Sequence, residues 1–334
     1  MKLTHSFLVN FIQHPGRLVH YLIRNIEIRK NTKKILRYQG GLYKVNKDIR
    51  PVYFLGRYSS VAFKLGGLYI IEALRKAGIK AFSGYYASSG EIRNSIIVII
   101  KKLYGKFNIL KLKENGNIVV FDIRDNYDIL NGTNNLIDIS DYLIFPNQVF
   151  LNEILRIKNK LPESTVLYGY ADPAISTVFS VDRYEKFEEI TSCYFGYRVN
   201  VDLEILEILQ KEIPVTIISS KLKNIDKLVN FNMHIDIRKK KEEDLYKPLT
   251  KILIAAECSS NIILEKTPRV LEILPDDYPF FISRNNIEDE VKRIKSLFNT
   301  EKWDYGLSVM ATIREKYTFR NHIQSFIKIL EELS

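Results

Sequence analysis

The feature that most constrains the fold is a rhythm in which short apolar runs of strand length alternate with longer stretches whose apolar residues recur at helical spacing. Residues 52–55 read as a strand, 68–77 as a helix closed by Gly78, and 80–82 as a second strand. A helix-like stretch spans 92–103, strands follow at 118–122 and 141–146, then a helix at 147–161 and a strand at 165–170. After the Asp172-Pro173 turn and a polar linker near 182–189, the pattern restarts at Ser192-Cys193-Tyr194-Phe195-Gly196. It continues with a helix over 201–211, strands at 214–219 and 233–235, and a helix opening at 242–244. A strand at 251–255, a helix at 268–274, a strand at 278–283 and two long helical segments complete the run. Strands separated by helices imply parallel sheets covered on both faces. The absence of a short-period repeat excludes a solenoid.

A chain of 334 residues with 46% hydrophobic composition can bury two ordinary cores and is long for one. The division this predicts is a basic helical extension at 1–48, a first α/β domain at 49–180, a second at 181–310, and a terminal helix at 311–334 that packs back on the first. Lys and Arg number 50 against 39 Asp and Glu, a formal charge of +11, which favours an anionic partner. Nucleic acid is disfavoured, because the basic residues are dispersed and no RRM, KH or helix-turn-helix pattern occurs. The two cysteines, Cys193 and Cys258, lie far apart without a CxxC, so neither a disulfide framework nor a zinc site is indicated, and a reducing cytoplasm fits. No apolar run approaches the length of a membrane span. The N-terminal stretch to about Tyr38 interleaves apolar residues with Arg17, Arg24, Arg29, Lys30, Lys33 and Lys34, and reads as mature sequence. Such a basic amphipathic segment suits the anionic inner face of a membrane, and equally a solvated helix packed on its own domain.

Open α/β sheets collect ligands at the carboxyl ends of their strands, so the loops there are the places to inspect. Gly66-Gly67 precedes the first helix and permits close backbone approach to a phosphate or sugar, although no Walker A loop or GxGxxG spacing accompanies it. Asp122-Ile123-Arg124-Asp125 follows a buried-looking strand directly. Asp122 or Asp125 could act as general base toward a hydroxyl. An Asp122 cap and an Arg124 ion pair explain the same residues equally well. The five histidines show no metal-ligand spacing, and no Asp-x-Asp signature stands out.

The order of elements resembles the GT-B glycosyltransferases, whose two Rossmann-like doubly wound domains face a cleft, and within them the retaining "glycosyl transferases group 1" clan. The segment from Gly66 to Gly78 is similar to the Gly-Gly loop and helix that approach the donor from the first domain. Tyr194-Phe195-Gly196-Tyr197-Arg198 looks like the strand and loop that open the donor domain. Lys266-Thr267-Pro268-Arg269-Val270-Leu271-Glu272, with the strand after it, resembles the segment whose helix start faces the donor phosphates and whose Glu holds the ribose. The likeness covers roughly Pro51 to the C-terminus and is firmer from Cys193 onward.

What the resemblance implies is a glycosyltransferase that moves a sugar from a nucleotide-sugar to a glycan or polyprenyl-linked acceptor in bacterial surface polysaccharide synthesis. Donor contacts would come from Gly66, Gly67, Arg198, Lys221, Thr267, Pro268, Arg269 and Glu272. No metal or other cofactor is expected, since helix N–H groups and basic side chains can stabilise a departing diphosphate. The sequence also departs from the clan. Its first glutamate would fall at Leu264, with Glu265 one position late, and the donor-loop lysine is replaced by Asp202-Leu203. Either Lys221 and Arg269 carry the phosphates or the donor differs, and retention or inversion stays open. The same gaps permit a catalytically silent GT-B-like protein that binds a glycan or a partner enzyme.

Overall fold

Ile96-Ile97-Val98-Ile99-Ile100 is a run of β-branched residues with no polar alternation, the mark of a strand buried on both faces. In the computed structural model it is β3 (Ile96–Ile100), an interior strand of a six-stranded sheet, rather than part of a helix over 92–103. All five side chains are buried, each contributing about 1.5–3 kcal/mol of apolar transfer. The residues described are 43–57, 60–84, 91–102, 108–125, 129, 135–176, 187–219, 222–239 and 246–334. The basic N-terminal stretch, Lys221 and the helix start expected at 242–244 lie outside them.

The chain forms two units, one of residues 1–146, 150–167 and 322–334, the other of 147–149 and 168–321. In the first, β1 (Val52–Leu55), β2 (Ala81–Ser83), β3, β4 (Ile118–Asp122), β5 (Tyr142–Phe145) and β6 (Glu163–Val166) align in the order β2-β1-β3-β4-β5-β6. Every pairing is parallel. The crossovers include α1 (Tyr69–Lys76), α2 (Ile109–Glu114), α3 (Leu136–Ile139) and α4 (Gln148–Ile157). β6 ends before the predicted strand at 165–170 would, at Val166.

The second unit holds β7 (Ser192–Phe195), β8 (Val215–Ile218), β9 (Met233–Asp236), β10 (Asn261–Glu265) and β11 (Phe281–Ile282), parallel throughout in the order β11-β10-β9-β7-β8. Its helices are α5 (Leu203–Glu212), α6 (Thr250–Glu257), α7 (Ile287–Ser296) and α8 (Glu301–Lys316). The strand predicted at 251–255 is α6. Its apolar run is buried from Ile252 to Ala256, so no exposed stripe reveals the helical period. The strand that pairs with β9 is β10, ten residues later. α8 lies close against it, because a side chain at Gly306 would come within 2.4 Å of Asn261 Oδ1. α9 (Phe319–Glu332) begins in the second unit and runs into the first. There Phe326 packs 5.9 Å from Phe54, and the Glu331 carboxylate accepts from the Asn46 backbone N–H. Among the described residues no helix is long and apolar enough to cross a membrane.

Candidate functional site

The carboxyl edge of the first sheet is organised around the end of β4. Its last residue, Asp122, is buried, and the chain then turns through a left-handed Arg124 with φ of 56°. That turn brings the guanidinium back so that Nε donates to Asp122 Oδ2 at 2.8 Å. Asp125 pairs instead with Lys101, Nζ to Oδ1 at 2.7 Å. Burial pushes the Asp122 carboxyl above the usual carboxylate range, opposed by Arg124 and assisted by the nearby Asp125.

Gly66-Gly67 does not form a loop ahead of a helix. Ser60 caps a helical turn at Val61–Phe63, accepting from the Phe63 N–H, and the glycines sit inside the wide π-turn Lys64–Leu68 that leads into α1. The N-terminal end of this helical run therefore lies at Ser60 rather than at Gly66. Gly66 instead makes room for Arg124, since a Cβ there would stand 2.6 Å from Arg124 Nη2. The structure makes Gly66, Asp122 and Arg124 one cluster.

In the second unit, the segment 268–274 is a single 3-10 turn, Val270–Glu272, in place of the predicted helix. Pro268 is exposed and the Thr267 hydroxyl is buried without a hydrogen-bond partner. Arg269 is buried, and its Nη1 donates to the Lys247 carbonyl at 2.9 Å and the Pro248 carbonyl at 3.4 Å. Glu272 accepts from the backbone N–H groups of Gln148 and Val149 at 2.8 and 2.7 Å, and from the Tyr168 hydroxyl at 2.7 Å. A carboxylate offers about four acceptor positions, so three of them are taken. Burial, then the bond to Glu272, holds the Tyr168 phenol in its neutral form well above the usual range. Arg198 lies in the exposed turn Arg198–Asn200 after β7.

A charge cluster at this edge adds Asp236, Arg238 and Lys251, none of them a candidate from the sequence, to Arg269. Asp236 closes β9, and its Oδ1 accepts from Arg238 Nε at 2.7 Å and lies 3.1 Å from Lys251 Nζ. The Lys251 ammonium also sits over the Tyr194 ring, 3.6 Å from its centroid. Burial alone would raise the Asp236 carboxyl, but Arg238, Lys251 and Arg269 together hold it well below the usual range. Burial lowers Lys251 to about 8 despite the attraction of Asp236. His234, two residues earlier on the same strand, is lowered by burial to about 4 and is neutral at pH 7. One signal for this cluster was legible: the tripeptide Asp-Ile-Arg recurs at 48–50, 122–124 and 236–238, the last two at interior strand ends. Lys251 was hidden because its helix was read as a strand.

Two all-parallel doubly wound sheets, joined in one chain, give this protein the GT-B fold of the glycosyltransferases, the fold class expected from the sequence. No protein-family model and no curated protein matches the sequence. Solved structures do. The chain is similar to Anabaena Alr3699/HepE in complex with UDP and glucose, at 8% identity and a TM-score of 0.57, over 85% of this chain and 100% of that one. It is similar to an α,α-trehalose-phosphate synthase (UDP-forming) from Burkholderia vietnamiensis at 7% identity and a TM-score of 0.53, over 72% of each chain. A chain of the GtfA/B complex matches at 8% identity and a TM-score of 0.50, and this chain spans 57% of its length. At these identities the likeness is one of fold.

Proposed function

We propose that the protein is a glycosyltransferase that moves a sugar from a nucleotide-sugar donor to a hydroxyl of a glycan or lipid-linked glycan, in bacterial surface polysaccharide synthesis. The observation that carries this reading is the match over the whole length of a chain crystallised with UDP and glucose. The donor diphosphate is received at the carboxyl edge of the second sheet, where Arg198 is exposed. In the reaction the acceptor oxygen bonds to the anomeric carbon as the bond to the diphosphate breaks. The hydroxyl proton passes to a base, for which Asp122 is the candidate in the first unit. Cationic side chains take up the charge of the departing diphosphate, with no metal required. Inside the cell, the basic N-terminal segment holds the enzyme at an anionic membrane face; flotation with neutral liposomes equal to that with anionic ones would remove this part.

Arg198 gives the cleanest test, because an exposed side chain is removed without disturbing the fold. Calorimetric titration with UDP, GDP, TDP and CMP should find one nucleotide that binds. Arg198→Ala should then bind it about tenfold or more weakly, as expected for a lost charge-assisted hydrogen bond, at an unchanged melting temperature. Failure of every nucleotide to bind would favour a silent glycan- or partner-binding protein. The commitment of Arg269 and Glu272 to intramolecular bonds is the observation that keeps that second reading in play.

A further inference from the structure

One guanidinium joins most of the carboxyl edge of the second sheet. Arg284 follows β11, and its Nε and Nη2 donate to the two oxygens of Glu265, at the end of β10, at 2.7 and 2.8 Å. Its Nη1 donates to Asp202, which itself caps α5 after β7 by accepting from the Ile205 N–H. Its Nη2 also donates to the backbone carbonyl of Arg238, just past β9. Four of the five strands therefore send the segment after their carboxyl end to a single side chain. The segments are further stitched by the Asp202 N–H to the Ile237 carbonyl, the Lys239 N–H to the Asn200 carbonyl, and the bridge between Val201 and Arg238. Between β7 and this fastening the chain presents the turn Tyr197-Arg198-Val199, in which Tyr197 is 63% and Val199 74% exposed. An exposed aromatic and an exposed aliphatic flanking a cation make a surface suited to an aromatic base and its phosphate.

We propose that Arg284 is a positioning residue that holds the carboxyl edge of the second sheet, and with it the 197–199 turn, in the arrangement that receives the ligand. The naming of that ligand as a nucleotide rests on the functional reading already given; the clasp itself does not. Arginine is required by the geometry, because a planar fork is needed to meet a carboxylate with two parallel bonds while also reaching a second carboxylate and a carbonyl. Arg284→Lys keeps the charge, but its three N–H donors radiate from one nitrogen, so it cannot meet both oxygens of Glu265 in parallel while also reaching Asp202 and the Arg238 carbonyl.

The test uses the full chain with Arg284→Lys and Arg284→Ala. Hydrogen exchange in peptides covering 196–206, 236–239 and 264–268 should accelerate together, by about tenfold or more, in both variants, while the 52–55 and 96–100 strands of the first unit keep their protection. Acceleration in one of the three peptides alone, or in none, would overturn the clasp whether or not a nucleotide binds. In the binding arm, with the nucleotide that the wild-type protein accepts, both variants should lose about tenfold in affinity. Millimolar guanidinium should restore affinity to Arg284→Ala where equal ammonium does not, a rescue that general destabilisation would not give. Coordinated loosening with unaltered affinity would overturn the positioning role. A wild-type protein that binds no nucleotide but shows the coordinated loosening would overturn the donor reading and leave the clasp standing.

Discussion

The same three residues end an interior strand in each unit, and the two ends behave oppositely. At Asp122-Ile123-Arg124 and at Asp236-Ile237-Arg238 the arginine Nε donates to the aspartate, at 2.8 and 2.7 Å. Yet burial leaves the Asp122 carboxyl raised, whereas the Asp236 carboxyl is held low. The difference comes from the neighbours. Asp122 has one pairing arginine and another carboxylate, Asp125, close by, while Asp236 is surrounded by Arg238, Lys251 and Arg269. A local motif thus sets a geometry, and the long-range packing decides whether the carboxylate is held charged as an anchor or pushed toward its neutral form.

The largest expected effect is on the anchor. Asp236→Ala strips a buried carboxylate from Lys251 and Arg238 and should cost roughly 3–5 kcal/mol in urea unfolding. Asp122→Ala should cost less, about 1–3 kcal/mol, because its carboxylate faces one arginine and the like charge of Asp125 rather than three cations. Equal costs would break the contrast. Next is acid. His234 occupies the place on β9 that Val120 occupies on β4, two residues before the aspartate. Its folded pKa of about 4 lies below the unfolded value, so the unfolded chain binds the extra proton first. Stability from this group is complete above about pH 6.5 and falls by about 3 kcal/mol as the pH drops to about 4. His234→Gln should flatten that part of the wild-type pH–stability curve.

Lys251 runs the same way at alkaline pH. Its folded pKa of about 8 is also below the unfolded value, so its unfavourable contribution is full below pH 8 and is relieved as the pH rises toward about 10.5. The relief should be about 2–3 kcal/mol, read as the difference between wild type and Lys251→Met across that range. The smallest effect is expected at the other strand end. Gly66→Ala forces aside only the tip of the Arg124 side chain, at roughly 1 kcal/mol, and should raise the Asp122 pKa further, since the arginine that lowers it moves away. A titration of the Asp122 carboxyl by NMR that stays put would show that Arg124 contributes little.

Much of the architecture was legible, because a βα rhythm repeated twice leaves few alternatives to paired parallel sheets. The errors share a cause. Ile96–Ile100 and the run 252–256 are both apolar and buried throughout, and without a polar face the period of two cannot be told from the period of 3.6. Misreading α6 as a strand also concealed Lys251, whose position next to Asp236 depends on a helix. At Gly66-Gly67, paired glycines suggested a loop, yet they fill a π-turn where their lack of side chains admits Arg124. The Arg284 contacts were unreadable for a different reason. They join residues 19, 46 and 82 positions apart, distances that no local pattern records.

The passage of α9 from the second unit into the first has a consequence for how the polypeptide is made. Residues 322–334 leave the ribosome only after the whole of the second unit, yet they complete the first. At ordinary elongation rates the earlier strands wait roughly ten to thirty seconds for them. During that interval Phe54 lacks the contact with Phe326. The half of the protein that is synthesised first is therefore the half whose chain is completed last.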